Sequence, residues 1–332
     1  MIWRIHRLPR FRLISLPTPM EKAENLGKEL GVNLFVKRDD VMELALGGNK
    51  VRKLEFLIGD ALAKKCDTVI TRGAFHSNHA RLTAAAARKA GLDVYLVLTP
   101  PGTFDLQGNI LLNELLGAKM VLAKDRKEAV LRMEEIAEKL RREGRNPYII
   151  PGGGASPVGV MGYALAAKEI LEQLQEQGVK PDYIVLATGS GGTQAGLVLG
   201  LKLLGADDVK VVGISISPDK REGQKRVSSL VNQAAQLLDV NIHVEPEEIT
   251  VIDDYLGGGY GSINKEVVET IKYVARREAL ILDPVYTAKA MQGLIDLARK
   301  DYFGKNSNIV FIYTGGTPIL FQADELKDYL AG

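Results

Sequence analysis

Cysteine is almost absent from this sequence. A single residue, Cys66, occurs among 332, which excludes an intrachain disulfide framework or a metal site built from several cysteines and is typical of a reducing cytoplasm. No apolar run approaches the roughly 18 residues that a membrane-spanning helix needs. The N-terminal stretch MIWRIHRLPRFRLISLPTP has basic residues throughout and no uninterrupted apolar core, unlike a secretory signal. We therefore expect a cytoplasmic protein that is not embedded in a membrane.

An excess of charge of one sign is also missing. Lys and Arg number 43, Asp and Glu number 41, and the formal net charge is +2, so no overall field attracts nucleic acid or an acidic membrane surface. Apolar residues make up 46% of the chain and charged residues 25%, the balance of a folded globular protein. The predicted partner is a small molecule, with no nucleic acid and no membrane.

Short apolar runs alternate with amphipathic stretches along the chain. Segments such as 127–144 and 161–178 have helical periodicity and end in glycine. This alternation of predicted strands and helices is typical of parallel sheets covered by helices. The predicted strands are NLFVKRD, DTVITRG, DVYLVL, AKMVLA, PYIIPGG, DYIVLATG, VKVVGISI and NIVFIYTGG.

A glycine-rich turn follows one predicted strand, in LATGSGGTQAGLVLG at residues 186–200. Small residues let backbone amides face a common point, and the start of the following helix adds positive potential, so this turn predicts phosphate binding. It is not a P-loop, because no lysine follows its last glycine, and its glycines do not have the spacing of a dinucleotide fingerprint. A tight strand-to-helix turn without a ligand is the alternative interpretation.

A second glycine-containing stretch, GGNKVRK at residues 47–53, contains Lys50. A lysine in a glycine loop is usually a solvated surface charge. Together with a phosphate site that is not a P-loop, however, its amine suits pyridoxal phosphate, which forms a Schiff base with a lysine and is oriented through its phosphate. Lys50 is therefore the predicted anchor of that cofactor.

Five motifs together resemble the family of 1-aminocyclopropane-1-carboxylate (ACC) deaminases and D-cysteine desulfhydrases. The resemblance extends from LPTP to YTGGTP and so covers nearly the whole chain. This family is a branch of the tryptophan synthase β-like, fold type II pyridoxal phosphate enzymes. It implies an α/β fold of two open, twisted, mostly parallel sheets covered by helices. The motifs are VKRDDVMELALGGNKVRKLEFLIGDAL, GAFHSNHARLTAAAA, ATGSGGTQAG, ILDPVYTAKAMQGL and YTGGTP.

We expect two α/β domains with the cofactor in the cleft between them, because ligands favour the carboxyl ends of strands and domain interfaces. The large domain is predicted to comprise residues 1–50 and 163–332, and the small domain residues 51–162. Members of the family commonly pair, so the expected assembly is a homodimer.

The resemblance assigns residues to the cofactor's phosphate and to its lysine. Lys50 would form the Schiff base with pyridoxal 5'-phosphate, and Lys53, about one helical turn away, would lie near the phosphate. The turn after the predicted strand would hold the phosphate through its amides and hydroxyls. Its residues are Thr188, Gly189, Ser190, Gly191, Gly192 and Thr193.

Other residues are assigned to the cofactor's ring and to the substrate. Asn78 would hydrogen-bond the ring's 3-hydroxyl, and Ser77 would meet the substrate carboxylate. Tyr286 would stack against the ring and Tyr260 would face the substrate. The alternatives are a helix N-cap for HSNH and ordinary aromatic packing for the tyrosines. The two histidines of HSNH lack a further Cys or acidic ligand, so no metal site is predicted.

Two positions distinguish the branches of the family. ACC deaminases have Glu after the tyrosine of DPVY and Leu before the last Gly-Gly, whereas D-cysteine desulfhydrases have Ser or Thr and then Thr; this sequence has Thr287 and Thr314. A carboxylate would keep the pyridine nitrogen protonated and make the ring a strong electron sink, whereas a hydroxyl only hydrogen-bonds a largely neutral nitrogen. Opening the ring of ACC, which has no α-proton, demands more of the cofactor. The threonines therefore favour β-elimination.

The resemblance thus predicts a lyase or hydrolase that converts a small amino acid, D-cysteine first, to pyruvate, sulfide and ammonia. Lys50 would remove the α-proton once the substrate amine has displaced it. ACC deaminase, which forms α-ketobutyrate and ammonia, and a racemase of small amino acids are alternatives. A nucleotide-dependent dehydrogenase or a binding protein stays open as a different class, although the failed dinucleotide fingerprint and the Lys, Asn and Tyr constellation argue against them.

Overall fold

The computed structural model describes residues 1–100, 106–217 and 219–331. All eight predicted strands form, and two further strands of three residues each, β1 and β9, are too short to give a periodic pattern. The strands are β1 Met20–Lys22, β2 Asn33–Arg38, β3 Thr68–Ala74, β4 Asp93–Thr99, β5 Lys119–Leu122, β6 Pro147–Ile150, β7 Tyr183–Thr188, β8 Lys210–Ser215, β9 Thr250–Ile252 and β10 Asn308–Tyr313.

Helices connect most of these strands, and both predicted helical segments are confirmed as α5 and α6. Short 3-10 helices, among them Asp39–Val41, Leu44–Leu46 and Gly152–Gly154, occur in the loops. The α-helices are α1 Glu24–Leu30, α2 Lys50–Ala63, α3 Asn78–Lys89, α4 Gly108–Leu115, α5 Arg126–Arg142, α6 Pro157–Glu176, α7 Gly192–Leu204, α8 Lys220–Leu237, α9 Lys265–Glu278, α10 Thr287–Arg299 and α11 Asp324–Ala331. Within the described residues, none of these helices combines the length and the apolar character that crossing a membrane requires.

The strands form two sheets. One has six strands in the order β1-β2-β10-β7-β8-β9, and only β1 runs antiparallel to its neighbour. The other has four parallel strands in the order β5-β4-β3-β6. Central strands such as β10 are buried at nearly every position, as expected for parallel strands that helices cover on both faces. The predicted fold class is confirmed.

The four-stranded sheet is built from residues within 51–162, the range predicted for the small domain. Helices α2 and α6, which contain the two predicted boundaries, lie against each other: a Cβ added to Gly162 would come within 2.2 Å of Arg52 O. The positions of the domain boundaries stay a prediction.

Helix α7 packs unusually close to α6. A Cβ on Gly196 would lie 2.4 Å from Tyr163 Cβ, and one on Gly200 would lie 2.4 Å from Ala164 O, distances that real Cβ atoms do not tolerate. The two glycines therefore allow the backbones to approach. This contact fixes the helix whose N-terminus follows the predicted phosphate-binding turn.

Candidate functional site

A cavity of about 650 Å³ lies at the carboxyl ends of strands from both sheets. Most of the predicted site residues line this cavity. Lys53, Gly192 and Thr287 do not line it. The predicted residues that do are Lys50, Ser77, Asn78, Thr188, Gly189, Ser190, Gly191, Thr193, Tyr260, Tyr286 and Thr314.

The predicted phosphate-binding turn joins β7 to α7. Gly191 is the residue before α7 and has φ of 84°, a left-handed conformation that glycine adopts without steric cost. The first amides of a helix have no acceptor within it, and the first backbone bond at this end runs from Ala195 N–H to Gly191 O at 2.8 Å. The amides of Gly192 and Thr193 are therefore available to an anion, where the helix dipole also favours negative charge.

The predicted phosphate cradle, residues 189–193, packs against the Gly152–Gly154 segment, and the buried Lys53 amine lies close to both without lining the cavity. A Cβ on Gly153 would lie only 2.5 Å from Ser190 Oγ, and one on Gly192 would lie 3.2 Å from Lys53 Nζ. The Lys53 side chain is buried, and its Nζ donates to Gly153 O at 3.3 Å. Burial, together with the neighbouring Lys50, holds the pKa of Lys53 well below its ordinary value. A phosphate dianion in the cradle fits this uncompensated amine.

Lys50 is the first residue of α2, and the loop before it takes a path that requires glycine. Gly47 and Gly48 have φ of 65° and 124°, and a Cβ on Gly47 would lie 2.1 Å from Asp40 O. Asn49 connects this loop to the start of α7, because its Nδ2 donates a hydrogen bond to Thr193 Oγ1 at 2.9 Å. The phosphate cradle and the lysine, 140 residues apart in sequence, are thereby held together.

The environment of the Lys50 amine favours its neutral form. Its Nζ donates to Asn49 Oδ1 at 2.7 Å. Burial lowers the pKa of Lys50 to about 8, the buried Asp283 opposes this shift, and Arg81 adds to it. A lysine with this pKa is a competent nucleophile and general base near neutral pH.

The pH dependence of cofactor attachment tests this environment. Only the neutral amine attacks an aldehyde, so we expect the rate at which Lys50 captures pyridoxal phosphate to rise about tenfold per pH unit and to level off above its pKa of about 8. Stopped-flow absorbance on the apoprotein measures this rate, with α-acetyl-lysine, which has an ordinary amine, as the control. A profile that levels off near pH 10 for both would show that the protein leaves the amine unperturbed.

Ser77 and Asn78 begin helix α3. Ser77 is its N-cap, and its Oγ accepts the amide N–H of Ala80 at 3.2 Å, so the capping interpretation is confirmed. Asn78 Oδ1 accepts from Asn109 Nδ2 at 2.8 Å. This contact turns the amide oxygen toward α4 and leaves the Asn78 nitrogen as the donor for a ligand. The contacts predicted for Ser77 and Asn78 with substrate and cofactor stay predictions.

His79 forms part of the cavity wall as a neutral side chain. Its Nε2 lies 2.9 Å from Thr71 Oγ1, whose hydroxyl donates to Ile150 O at 2.8 Å, so Nε2 must donate to that hydroxyl. Burial, with Lys50 and Lys53 nearby, holds the pKa of His79 well below its ordinary value. In the part of the chain that the structure describes, no three His, Cys, Asp or Glu side chains cluster as a metal site would need.

Tyr286 and Tyr260 meet at the cavity. Their hydroxyl oxygens are 2.6 Å apart, and their rings are 73° from coplanar with centroids separated by 6.1 Å. The Nζ of Lys50 lies 5.9 Å from the centroid of the Tyr286 ring. Burial raises the pKa of Tyr286 well above its ordinary value and also raises that of Tyr260. Both phenols therefore carry their protons at neutral pH and can donate them.

The two threonines that distinguish the family branches have different surroundings. Thr314 lines the cavity, and its carbonyl accepts the Asn49 amide N–H at 3.0 Å. Thr287 is fully buried outside the cavity wall, and its hydroxyl donates to Asp283 Oδ1 at 2.7 Å. Of the two threonines, only Thr314 is therefore among the described residues that line the cavity, and the cofactor contacts assigned to both threonines stay predictions.

Asp283 is a site residue that the sequence reasoning missed. Its carboxylate accepts the amides of Val285, Tyr286 and Thr287 at 3.0, 2.9 and 2.8 Å. These bonds shape the turn that presents Tyr286, and the charge lies close enough to raise the pKa of Lys50. An aspartate shortly before a helix in DPVYT is a recognisable capping signal, but its role toward Lys50 depends on distant parts of the chain.

The mouth of the cavity is strongly cationic. Arg72, Arg126 and Arg226 line it, and Arg226 Nη1 donates to Gly189 O at 2.9 Å. Among the described residues, no Asp or Glu side chain lines the cavity. This charge favours a ligand with several negative groups, as a phosphate-bearing cofactor and an amino acid carboxylate provide.

Comparisons of sequence agree with this geometry. The family model described as pyridoxal-phosphate dependent enzyme matches residues 12–315. A protein of Pyrococcus horikoshii named putative 1-aminocyclopropane-1-carboxylate deaminase is 49% identical over 327 residues, which cover 98% of this chain and 97% of that protein. A protein of Salmonella typhi named D-cysteine desulfhydrase is 42% identical over 320 residues, covering 95% of this chain and 96% of that protein.

Solved structures show the same architecture. A crystal structure described as an ACC deaminase homologue aligns with a TM-score of 0.92 and 46% identity, covering 99% of this chain and 98% of that one. Threonine deaminase isoform 2 from Solanum lycopersicum aligns with a TM-score of 0.68 and 22% identity, covering 96% and 84%. At that identity the second likeness shows the fold alone.

Proposed function

We propose, from the premise that this chain belongs to the family of pyridoxal-phosphate-dependent enzymes and has their tryptophan synthase β-like, fold type II architecture, that it catalyses deaminating β-elimination with D-cysteine as its preferred substrate. The products are pyruvate, sulfide and ammonia. A lyase fits this family, and the expectation of a hydrolase is wrong, because the bond to sulfur is broken by elimination and not by water.

The observation that carries the choice of substrate is the polar group available to the cofactor's ring nitrogen. Thr314, a residue with a hydroxyl, lines the cavity, and no Asp or Glu among the described residues does so. Bound pyridoxal phosphate withdraws electrons from the α-carbon, more strongly when a carboxylate keeps its ring nitrogen protonated. A hydroxyl suffices for loss of a β-thiolate from an α-carbanion, which demands less than opening a cyclopropane.

The residues of this chain have separable tasks in the proposed reaction. The cradle at 189–193 and Lys53 hold the cofactor's phosphate, and the N-terminus of α3 with Ser77 binds the substrate carboxylate. Lys50, with its pKa lowered to about 8, takes the α-proton as general base. The protonated phenols of Tyr260 and Tyr286 supply donors beside the departing β-substituent.

ACC deamination is the second candidate. It is favoured by the relative that is 49% identical and carries that name as a putative function, whereas the relative named D-cysteine desulfhydrase is 42% identical. This difference in identity is too small to decide between two activities that share the fold and the lysine.

A substrate panel tests the proposal. The holoenzyme is given D-cysteine, L-cysteine or ACC separately, and pyruvate, α-ketobutyrate, sulfide and ammonia are quantified. We expect pyruvate, sulfide and ammonia in equal amounts from D-cysteine, with little α-ketobutyrate from ACC. Release of α-ketobutyrate from ACC without turnover of D-cysteine would overturn the assignment, and loss of D-cysteine's chirality without keto acid would indicate a racemase.

Removing the two threonine hydroxyls one at a time should have different effects. Thr314→Val removes the hydroxyl of the threonine that lines the cavity. We expect kcat to fall about tenfold, because one hydrogen bond to the cofactor contributes about 1 kcal/mol, and stability to change little. Thr287→Val removes the hydroxyl bound to Asp283 and should lower the free energy of unfolding by about 1–3 kcal/mol, with a smaller effect on kcat. Steady-state kinetics and urea unfolding measure both. The opposite pattern would show that Thr287 is the threonine that serves the cofactor.

A further inference from the structure

Tyr260 lies in a turn whose backbone has unusual freedom. Gly257, Gly258, Gly259 and Gly261 have φ of 61°, 97°, 114° and 81°. Glycine loses more conformational entropy than any other residue when it is fixed. A contact from outside this turn is therefore needed to keep the Tyr260 phenol within hydrogen-bonding distance of Tyr286.

The turn provides little of that anchoring itself. Its internal backbone bonds, from Gly259 N–H to Leu256 O and from Ser262 N–H to Gly259 O, are long, at 3.2 and 3.3 Å. Just before the turn, the Tyr255 hydroxyl donates a hydrogen bond to Asp296 on α10 at 2.5 Å and so holds the chain there. The part that carries Tyr260 needs a further contact.

Lys289 makes that contact. This side chain on α10 is fully buried, and its Nζ donates to Leu256 O at 2.6 Å and to Gly259 O at 2.9 Å. The two carbonyls belong to the residues on either side of Gly257 and Gly258, and Gly259 directly precedes Tyr260. Among the described residues, no carboxylate lies within ion-pair distance of Lys289. Burial lowers the pKa of the Lys289 amine and the charge of Asp283 opposes this shift. The two hydrogen bonds to carbonyls are the direct polar contacts of this amine among the described residues.

The partner of Tyr260 is the residue immediately before the same helix. Lys289 follows Tyr286 by about one helical turn, and the Tyr286 hydroxyl lies 2.6 Å from that of Tyr260. Lys289 of α10 thus contacts the backbone of the turn, and Tyr286 at the start of α10 contacts the side chain of Tyr260. We propose that Lys289 is a positioning residue that fixes the glycine turn so that the phenol of Tyr260 is held at the cavity beside Tyr286.

The functional consequence rests on the proposed role of Tyr260 as a donor toward the substrate. Reacting groups that shift by about 1 Å can lose about 10²-fold in rate. Lys289→Met keeps an unbranched side chain but removes the ammonium that joins the two carbonyls. We expect kcat/KM to fall about 10-fold to 100-fold, mainly through kcat, and by no more than Tyr260→Phe reduces it.

Hydrogen exchange provides a readout that does not depend on catalysis. In the holoenzyme of Lys289→Met, we expect amides 257–262 to exchange at least about tenfold faster than in the wild type, while amides in β7 and α7 are unchanged. Lys139→Met serves as the control for loss of a lysine, since Lys139 lies near the end of α5, is largely exposed and pairs with Glu143. It should alter neither exchange at 257–262 nor kcat/KM.

The double variant separates positioning from a general loss of structure. If Lys289 acts through Tyr260, Lys289→Met adds little to the loss in kcat caused by Tyr260→Phe; an undiminished further loss would overturn the inference. Unchanged exchange at 257–262 in Lys289→Met would also overturn it, as would acceleration throughout the protein. The wild-type substrate panel decides the proposed function independently, because an enzyme that uses another amino acid still shows the exchange result.

Discussion

Lys50→Ala is expected to reduce kcat by about 10³-fold or more, because we propose that this one side chain is both the covalent anchor of the cofactor and the general base. The variant should also lose the visible absorbance of the lysine-bound cofactor and its sensitivity to borohydride. The fold should survive, since Lys50 is the first residue of α2 and, among the described residues, its Nζ donates a hydrogen bond only to the adjacent Asn49. Steady-state assays, absorbance spectra and thermal unfolding measure these three effects.

Lys64→Ala is the matched control for this variant. Lys64 is the residue just after α2, is largely exposed, pairs with Asp60 and lies over the Tyr148 ring, so its loss should leave kcat and the spectrum unchanged. Lys50→Ala protein that still binds the cofactor in a borohydride-sensitive form would show that another lysine is the anchor. Lys53 would then be the first residue to test, because its buried amine lies beside the cradle.

Asp283→Ala is expected to lower the free energy of unfolding by about 3 kcal/mol or more. The substitution leaves three buried amides without their acceptor, and each buried donor left unsatisfied costs about 1–3 kcal/mol. Asp283→Asn keeps one carbonyl oxygen and should lose less. Urea unfolding of the holoenzyme measures both. The control is Asp207→Ala, because Asp207 is exposed and its carboxylate lies 3.8 Å from the Lys202 amine; we expect it to change stability by less than about 1 kcal/mol.

The same variant tests the electrostatics at Lys50. The negative charge of Asp283 raises the pKa of Lys50 against the effect of burial, so removing that charge should move the midpoint of cofactor attachment to a pH below about 8. An unchanged midpoint in folded Asp283→Ala would show that the carboxylate acts only on the turn before α10. A loss of stability no greater than that of the surface control would contradict the structural role.

The fold was predictable because its parallel strands are buried on both faces. Runs such as NIVFIY and YIVLAT have no polar alternation and are separated by long amphipathic helices, a combination that few other architectures produce. Strands β1 and β9 were not predicted, since three residues contain too few positions to show a period. Their pairing depends on neighbours that are distant in sequence.

The glycine turn before α7 was predictable for a local reason, because Gly191 adopts a left-handed conformation there, and phosphate binding at its backbone amides stays a prediction. Lys50 became identifiable only in combination with that turn and with the family motifs. Asp283 and Lys289 could not be assigned from the sequence, since they act on a lysine and a glycine turn that the fold brings to them. The different surroundings of Thr287 and Thr314 could not be assigned from the sequence either, because the fold determines which of them lines the cavity.

Competition between the two candidate substrates tests the proposed function most directly. The holoenzyme is given equimolar D-cysteine and ACC in one reaction, and the initial ratio of pyruvate to α-ketobutyrate gives the ratio of the two kcat/KM values. We expect pyruvate to exceed α-ketobutyrate by at least about tenfold, equivalent to about 1.4 kcal/mol in transition-state stabilisation. An excess of α-ketobutyrate would contradict the proposal that a hydroxyl at Thr314 selects β-elimination over opening of the cyclopropane ring.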